Sequence, residues 1–499
     1  MTTLLWLRND LRLHDHEALS DALADAGPDG RLVALYCVDP RAFADTRWGF
    51  PKAGAFRAQF LVEALADLRA SMRARGGDLV VRVGAPADVI PEIVAAHGIG
   101  SVSVHEEAMR EELDDEAAVR DALPAGVPIH GRWGHTLFHI DDLPMRVDAL
   151  PRVFTEWRKR TEAQSRVRPE LPAPERLPPL PDGLDAGDIP TVEALGLVPV
   201  DADPRAVMVF HGGETAALRR LDAYLWEGDH LKRYKETRNG LLGADYSTKF
   251  SPFLALGCLS PRHVYWQTQR YEAERVRNES TYWLTFELLW RDYFRFYGVH
   301  HGDRLFYVHG PKGERVDWNH DREPFEAWAA GETGVPFVDA AMREMNGTGY
   351  MSNRMRQNVA SLLTKNLSVD WRLGAAWFES QLVDYDVTSN WGNWAYNAGV
   401  GADPRDRYFN LAVQARQYDP HGDYVRHWVP ELASLPDAHI HAPEALPKAA
   451  LQRYGVQLGH SYPHPMIDLE ASYDALRGGS ARASASQGRG GRRGSHRNG

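Results

Sequence analysis

The sequence predicts an α/β domain with a doubly wound parallel sheet, followed by a larger all-α domain. Three observations carry this. Over residues 1–135 short apolar runs alternate with stretches of helical periodicity, as βα repeats require. Nine prolines crowd residues 169–204, a density that excludes helix interiors and central strands. Beyond Gly212-Gly213 strand-like alternation disappears and long helical patterns take over.

In order, the strand candidates are Leu4 to Leu7, Leu32 to Val38, Leu79 to Val83 and Val102 to Val104. Between them, residues 53–75 place Phe56, Phe60, Leu61, Leu65, Leu68 and Met72 at helical spacing, and Gly76-Gly77 supplies a stop. This first domain, 1–135, contains neither G-x-G-x-x-G nor the P-loop pattern, which argues against a dinucleotide dehydrogenase. Residues 136–211 read as a Pro-rich connector, ordered or semi-ordered. Residues 212–476 form the helical domain, with the patterns 282–297 and 338–367 as its clearest helices, and it holds eleven of the 15 tryptophans between positions 215 and 428. Core filling is the plain reading of that aromatic load. Residues 477–499 are Gly, Ser and Arg with little to bury, and are expected to be disordered.

With 499 residues and 43% apolar content the chain can bury two cores. No apolar run reaches membrane-span length and the start does not resemble a signal peptide, so no membrane is expected and a cytoplasmic location is. Cys37 and Cys258 sit far apart in apolar contexts, which fits neither a disulfide nor a metal-ligand spacing, and no metal is expected. The net charge of -11 argues against nonspecific nucleic-acid binding, yet it is uneven: the tail carries six Arg and no acid, leaving -17 on the remainder. Such a tail is either an accessory nucleic-acid arm or a dispensable solvated end.

Four segments concentrate polar chemistry. Tyr246-Ser247-Thr248-Lys249-Phe250-Ser251-Pro252 offers hydroxyls and a lysine ahead of an apolar run, as an anion-binding loop or an ordinary helix cap would. In Glu287 to Tyr293, Glu287 and Arg291 share a helix face with Trp290, as a surface ion pair or as walls for a flat, hydrogen-bonding ligand. Asn353 to Asn358 sets polar and sulfur side chains at the head of an otherwise apolar helix. Asp384-Tyr385-Asp386 precedes Asn390-Trp391-Gly392-Asn393-Trp394, a density of carboxylates, amides and indoles that points to a buried polar site.

Together with the opening Trp6-Leu7-Arg8-Asn9-Asp10-Leu11-Arg12, these segments, in this order and as far as about Leu432, resemble the photolyase/cryptochrome family, and within it the DASH group. The resemblance implies FAD in the helical domain. Its diphosphate would lie on Ser247, Thr248, Lys249, Phe250 and Ser251, flanked by Tyr234. Arg291, Asn353, Arg356, Asp384, Tyr385 and Asp386 would surround the rest, with Asn390 at the flavin N5, where an amide can accept from or donate to the ring. Trp394, Trp371 and Trp318 match the family's electron-carrying tryptophans, the alternative being plain core aromatics.

The implied reaction is splitting of a cyclobutane pyrimidine dimer by an electron from excited, reduced flavin, with no net redox change. Photolyases are among the enzymes that flip their target base out of the stack. The residues matching the lesion pocket are Glu287, Trp290, Asn353, Arg354, Gln357 and Tyr396. Glu287 would hydrogen-bond or protonate the dimer, and the two aromatics would stack on it. Gln357 stands where photolyases usually have Met, and Tyr396 where they usually have Trp. Both changes are DASH-like and reduce apolar contact with a flipped dimer, which makes single-stranded DNA the expected substrate. The segments 234–240 and 410–432 are also DASH-like. An antenna, 5,10-methenyltetrahydrofolate, is expected on the first domain with Glu107 as its carboxylate. The expected assembly is a monomer; the rival reading is a blue-light photoreceptor that binds DNA or a partner without repair.

Overall fold

A computed structural model describes residues 1–201, 203–403 and 407–477; the tail from 478 onward lies outside them. Five parallel strands form one sheet in the order β3-β2-β1-β4-β5. They are β1 (Thr2–Leu7), β2 (Arg31–Val38), β3 (Leu79–Val83), β4 (Ser101–His105) and β5 (Ile129–Arg132). The helices between them are α1 (Glu17–Ala26), α2 (Ala55–Arg73), α3 (Pro86–His97) and α4 (Arg110–Ala122). Strand side chains alternate between two cores. Leu4, Trp6, Val33, Leu35, Val102 and Val104 pack with Ile90 and Val94 of α3 and Val119 of α4. Leu5, Leu7, Leu32, Ala34 and Val81 face α1 and α2, in a core that continues without a break into the helical domain. The first-domain fold is the one the alternation predicts, with β5 added. That strand, Ile-His-Gly-Arg, is short, polar and at the sheet edge, so it lacks the apolar run that marks the others.

The connector is less uniform than its prolines imply. Its first part contains helix α5 (Phe154–Gln164), which buries Phe154, Trp157 and Thr161. The Pro-rich remainder lies along the first domain: Val81 N donates to Ala186 O at 2.8 Å and Leu177 N to Arg75 O at 2.8 Å. Gly212 then crosses α2 so closely that a Cβ there would lie 1.9 Å from Phe60 O, which only glycine permits.

The second domain comprises α6 (Glu214–Asp222), α7 (Tyr234–Thr237), α8 (Ser251–Ala255), α9 (Pro261–Glu274), α10 (Glu279–His301), α11 (Arg322–Ala330), α12 (Pro336–Thr348), α13 (Asn353–Ser361), α14 (Trp371–Gln381), α15 (Val387–Ala398), α16 (Leu411–Tyr418), α17 (Asp423–Trp428) and α18 (Lys448–Arg453). The 282–297 pattern lies inside α10, whose start is set by a capping box at Asn278 and Thr281. The 338–367 pattern is not one helix: α12 ends at Gly349, left-handed at φ 69°, and α13 begins at Asn353.

Polar contacts join the domains as firmly as the shared core. Arg262 of α9 grips Asp15 through Nη2–Oδ1 at 2.7 Å and Nε–Oδ2 at 2.9 Å, both side chains nearly inaccessible. Asp292 of α10, fully buried, accepts the amides of Leu137 and Phe138, each at 2.9 Å. Among the described residues no helix is long and apolar enough to cross a membrane.

Candidate functional site

A cavity of about 410 Å³ opens among α10, α13, α15 and the loop ahead of α8, and a smaller one of about 100 Å³ adjoins it, sharing Asn353, Arg356, Asp384 and Asp386. The loop forms one wall. Arg220 of α6 holds it from behind, donating to the carbonyls of Thr248 at 2.9 Å, Ser247 at 3.1 Å and Ala244 at 3.1 Å. Lys249 adopts φ 59°, and Ser247, Thr248, Lys249, Phe250 and Ser251 all line the cavity, with Tyr234 beside them. Helix α8 is a single turn, so the loop, rather than a long helix, supplies this wall.

Lys249 carries the electrostatics of that wall. It is 2% exposed. Its ammonium donates to Ser247 Oγ at 3.3 Å and lies 3.0 Å from the Tyr246 ring centroid and 5.2 Å from that of Tyr350. Among the described residues no carboxylate pairs with it, and burial pushes its pKa well below the ordinary lysine value. A buried cation facing a cavity in this way suits an anionic ligand.

Opposite, Arg356 donates through Nη2 to Asp384 Oδ2 at 2.8 Å, while Asp384 Oδ1 is buried without a partner among the described residues. Asp386 caps α15 through the amide of Ser389 at 2.7 Å. Burial raises its pKa, but Arg291 and Arg295 outweigh that and hold the carboxyl below its ordinary range. Tyr385 points away from the larger cavity: it lines the smaller one and the cleft between the domains, under Arg57 at 4.6 Å.

Glu287 and Arg291 share a wall of the cavity without pairing. Glu287 meets Arg238 Nη1 at 2.7 Å and accepts from Trp283 Nε1 at 3.1 Å. Burial raises its pKa, with Arg238 and Trp283 opposing. Arg291 donates to the carbonyls of His135 and, at 3.2 Å, Leu254. Trp290 stacks one face on Phe154 at 3.6 Å and meets Tyr396 edge-on at 6.2 Å, both Trp290 and Tyr396 lining the cavity. Asn353, Arg354 and Gln357 line it too; Arg354 Nη1 donates to Gln357 Oε1 at 2.8 Å, which orients that amide.

Asn390 and Trp394 line the smaller cavity. Asn390 donates Nδ2–H to Ala375 O at 3.0 Å, so its carbonyl oxygen is the atom left to accept from a ligand. Trp394 reaches Gly374, where a Cβ would sit 2.3 Å from the Cη2 of its ring, one turn after Trp371 on α14. Trp318 precedes Asn319, which bridges to Val369, two residues before Trp371. The three tryptophans are therefore brought together, and all are buried.

Glu107 lies elsewhere, on a second cavity of about 490 Å³ between the domains. Its carboxylate pairs with Arg295, accepts from Asn9 Nδ2 at 3.0 Å and lies 3.4 Å from His135 Nε2. Nearby Glu112 has its pKa pushed up to about 7 by burial and by Glu107. The two cavities share the wall of Ala255 and Asp386.

Among the described residues, one group has the spacing to hold a metal ion: Asp10, His16 and His105, all fully or almost fully buried. His16 Nδ1 accepts from the Leu19 amide at 3.1 Å, which puts the proton on Nε2, facing Asp10 Oδ2 at 3.2 Å. A ligating histidine donates through its second nitrogen, so His16 has the wrong tautomer for a ligand.

Sequence reasoning named Arg238 and Asn393 only as members of motifs and gave no role to Arg238, which neutralises Glu287, or to the stripe of Ser389, Asn393 and Asn397 on the cavity wall. The stripe was detectable: its i, i+4, i+8 spacing marks one polar helix face. Arg238 had no such mark, since the partner that defines its role is 49 positions away.

Residues 3–176 match the DNA photolyase family and 283–479 the FAD binding domain of DNA photolyase. A protein named cryptochrome DASH from Gloeobacter violaceus is 55% identical over 95% of this chain and 96% of its own length. The crystal structure of a Synechocystis sp. PCC6803 cryptochrome superposes with TM-score 0.92 at 50% identity, covering 95% of this chain and 98% of that one. A class III photolyase from Agrobacterium tumefaciens gives 0.82 at 30% identity, covering 95% and 98%.

Proposed function

The chain belongs to the photolyase/cryptochrome family, and from that premise we propose that it splits cyclobutane pyrimidine dimers, preferentially in single-stranded DNA, by light-driven electron transfer from reduced FAD. The observation that carries this reading is the continuity of the cavity. Lys249, Arg356 and the open Asp384 oxygen offer charge complements for a diphosphate and a polar heterocycle, and Glu287, Trp290 and Tyr396 line the same space.

FAD, when bound, supplies light absorption and a single electron. The chain's own residues do the rest. Lys249 would meet the negative charge of the diphosphate. Asn390, fixed by Ala375, presents an oxygen suited to a protonated N5. Glu287, its pKa raised by burial against the opposing Arg238 and Trp283, offers a carboxyl group on the cavity wall to a flipped base. Trp290, stacked on Phe154 and flanked by Phe294, lines the cavity, and Gln357, held by Arg354, offers an amide where an apolar contact would strengthen capture from duplex. Single strands, with less stacking to lose, suit this pocket.

The interdomain cavity fits an antenna of the methenyltetrahydrofolate kind. Its carboxylates, Glu107 and Glu112, match the donor groups of a pterin, and Phe43 and Trp48 on its walls match the flat ring.

The test is dimer splitting by purified, photoreduced protein on single-stranded and duplex oligonucleotides, under blue light and in darkness. Light-dependent repair of the single strand with little on duplex is expected. Absence of repair on both, with reduced flavin bound, refutes the enzyme and favours a photoreceptor.

A further inference from the structure

We infer that Trp391 is a second exit of the electron path, branching from Trp371 into the interdomain cavity, with Glu379 holding the positive charge that forms there. The inference rests on the flavin reading above and concerns residues outside the flavin cavity.

Three features point to it. Trp371 and Trp391 are in edge contact, ring centroids 5.7 Å apart at 78°, so an electron can pass directly between them. Trp391 and Glu379 both line the interdomain cavity, so in protein without an antenna there a charge on this indole is accessible to small molecules. The third feature is the group facing each indole N–H. Trp371 donates to the neutral carbonyl of Val308 at 3.1 Å, and Trp318 Nε1 is buried without a partner among the described residues. Trp391 alone of the three donates to a carboxylate, Glu379 Oε2 at 3.3 Å.

An indole that has lost an electron is a cation with an acidic N–H. A carboxylate at hydrogen-bond distance in a weakly polar surrounding lowers the energy of that cation and can take its proton, whereas a carbonyl can do neither as well. Glu379 is 7% exposed, so water screens this attraction less than it would at the open surface. Arg57 on α2 and Lys52 are the basic groups that bear on it, but Arg57 Nη2 donates to Lys52 O at 3.0 Å, Lys52 pairs with Glu111, and neither closes a salt bridge with Glu379.

The electrons balance as follows. One electron leaves Trp394 for the light-excited oxidised flavin, Trp371 refills Trp394, and Trp391 refills Trp371 while its Nε1 proton passes to Glu379. A thiol entering the cavity then returns a hydrogen atom to Trp391 and leaves as a thiyl radical, and Glu379 releases its proton to water. The net change is one electron from thiol to flavin and one proton set free.

The experiment uses FAD-loaded, full-length protein with dithiothreitol, measuring steady-state photoreduction, transient absorption and time-resolved EPR. W394F is expected to stop photoreduction. W318F and W391F are each expected to lower it roughly two-fold, and the double variant to remove nearly all of it, as for two parallel exits. The EPR dipolar splitting should change in W391F, and E379Q should shorten the life of the Trp391 radical. Photoreduction in W391F equal to that of wild type, or complete loss in W318F alone, overturns the branch. If W391F loses its flavin, E379Q, which keeps every indole, decides through the radical lifetime: an unchanged lifetime overturns the branch. Undiminished photoreduction in W394F overturns the tryptophan chain and the branch with it.

Discussion

Replacing Lys249 by Met isolates the one buried cation of the flavin wall. The substitution keeps side-chain length and adds no new strain at φ 59°, since both residues carry a Cβ. In the free protein the ammonium is held only by Ser247 Oγ and two ring faces, and burial disfavours its charge. K249M should therefore leave the free protein's stability within about 1 kcal/mol of wild type, because the lost cation–π contact offsets the relieved desolvation. With FAD the ammonium gains an anion. A hydrogen bond to a charged group contributes about 1.5–3 kcal/mol, so FAD affinity should fall about 10- to 150-fold.

A second signature follows from linkage. The lysine pKa is depressed in the free protein and raised again beside a diphosphate, so the complex binds more protons than its components. Wild-type affinity should weaken as pH rises from the depressed value toward the ordinary lysine value of about 10.4, and in K249M this slope should flatten. Equilibrium dialysis with FAD across pH, paired with urea melts of the free protein, measures both. Unchanged affinity with a parallel pH slope, or a free protein destabilised by several kcal/mol, would refute the assignment.

Three further outcomes are expected. If protonated Glu287 serves the dimer, repair should fall as pH rises through its elevated pKa, and E287A should lower repair by about 100-fold with FAD still bound, as steady-state assays and flavin absorbance would report. Restoring apolar contacts with Gln357→Met and Tyr396→Trp should raise duplex repair relative to single-strand repair by about 5- to 10-fold, worth roughly 1 kcal/mol of burial, in a competition assay on the two substrates. Glu107→Ala leaves the buried Arg295 only the more distant Asp386, at 3.8 Å, and should cost about 3 kcal/mol in chemical denaturation, separately from any effect on an antenna.

The strands of the first domain were legible because a parallel sheet buried on both faces writes itself as continuous apolar runs, Leu-Leu-Trp-Leu in β1 above all. Helix α5 was not, since only Phe154, Trp157 and Thr161 mark its buried stripe before the prolines begin. The site was legible where function concentrates unusual residues in short segments, as in 246–251 and 384–394. What escaped were partners set by tertiary contact. The spacing of Glu287 and Arg291 suggested an ion pair, but their charges are taken by Arg238 and by backbone carbonyls brought in from other elements. Trp391 was quoted in a motif, yet its carboxylate partner Glu379 and its place on the interdomain cavity emerge only when α14 packs on α15.

The grip of Arg262 on Asp15 has a consequence for cooperativity. Parting the two domains would break this buried, bidentate ion pair and at the same time expose the apolar core that the domains share. The domains are thus coupled into one unfolding unit, and hinge opening is too costly to be populated. A molecule reaching the interdomain cavity must therefore pass through its standing mouth, so access is governed by side-chain motions at the rim rather than by domain movement. Occupancy should be fast and reversible on the timescale of side-chain fluctuations, and the distances between the cavity and the tryptophans should stay the same in light and darkness.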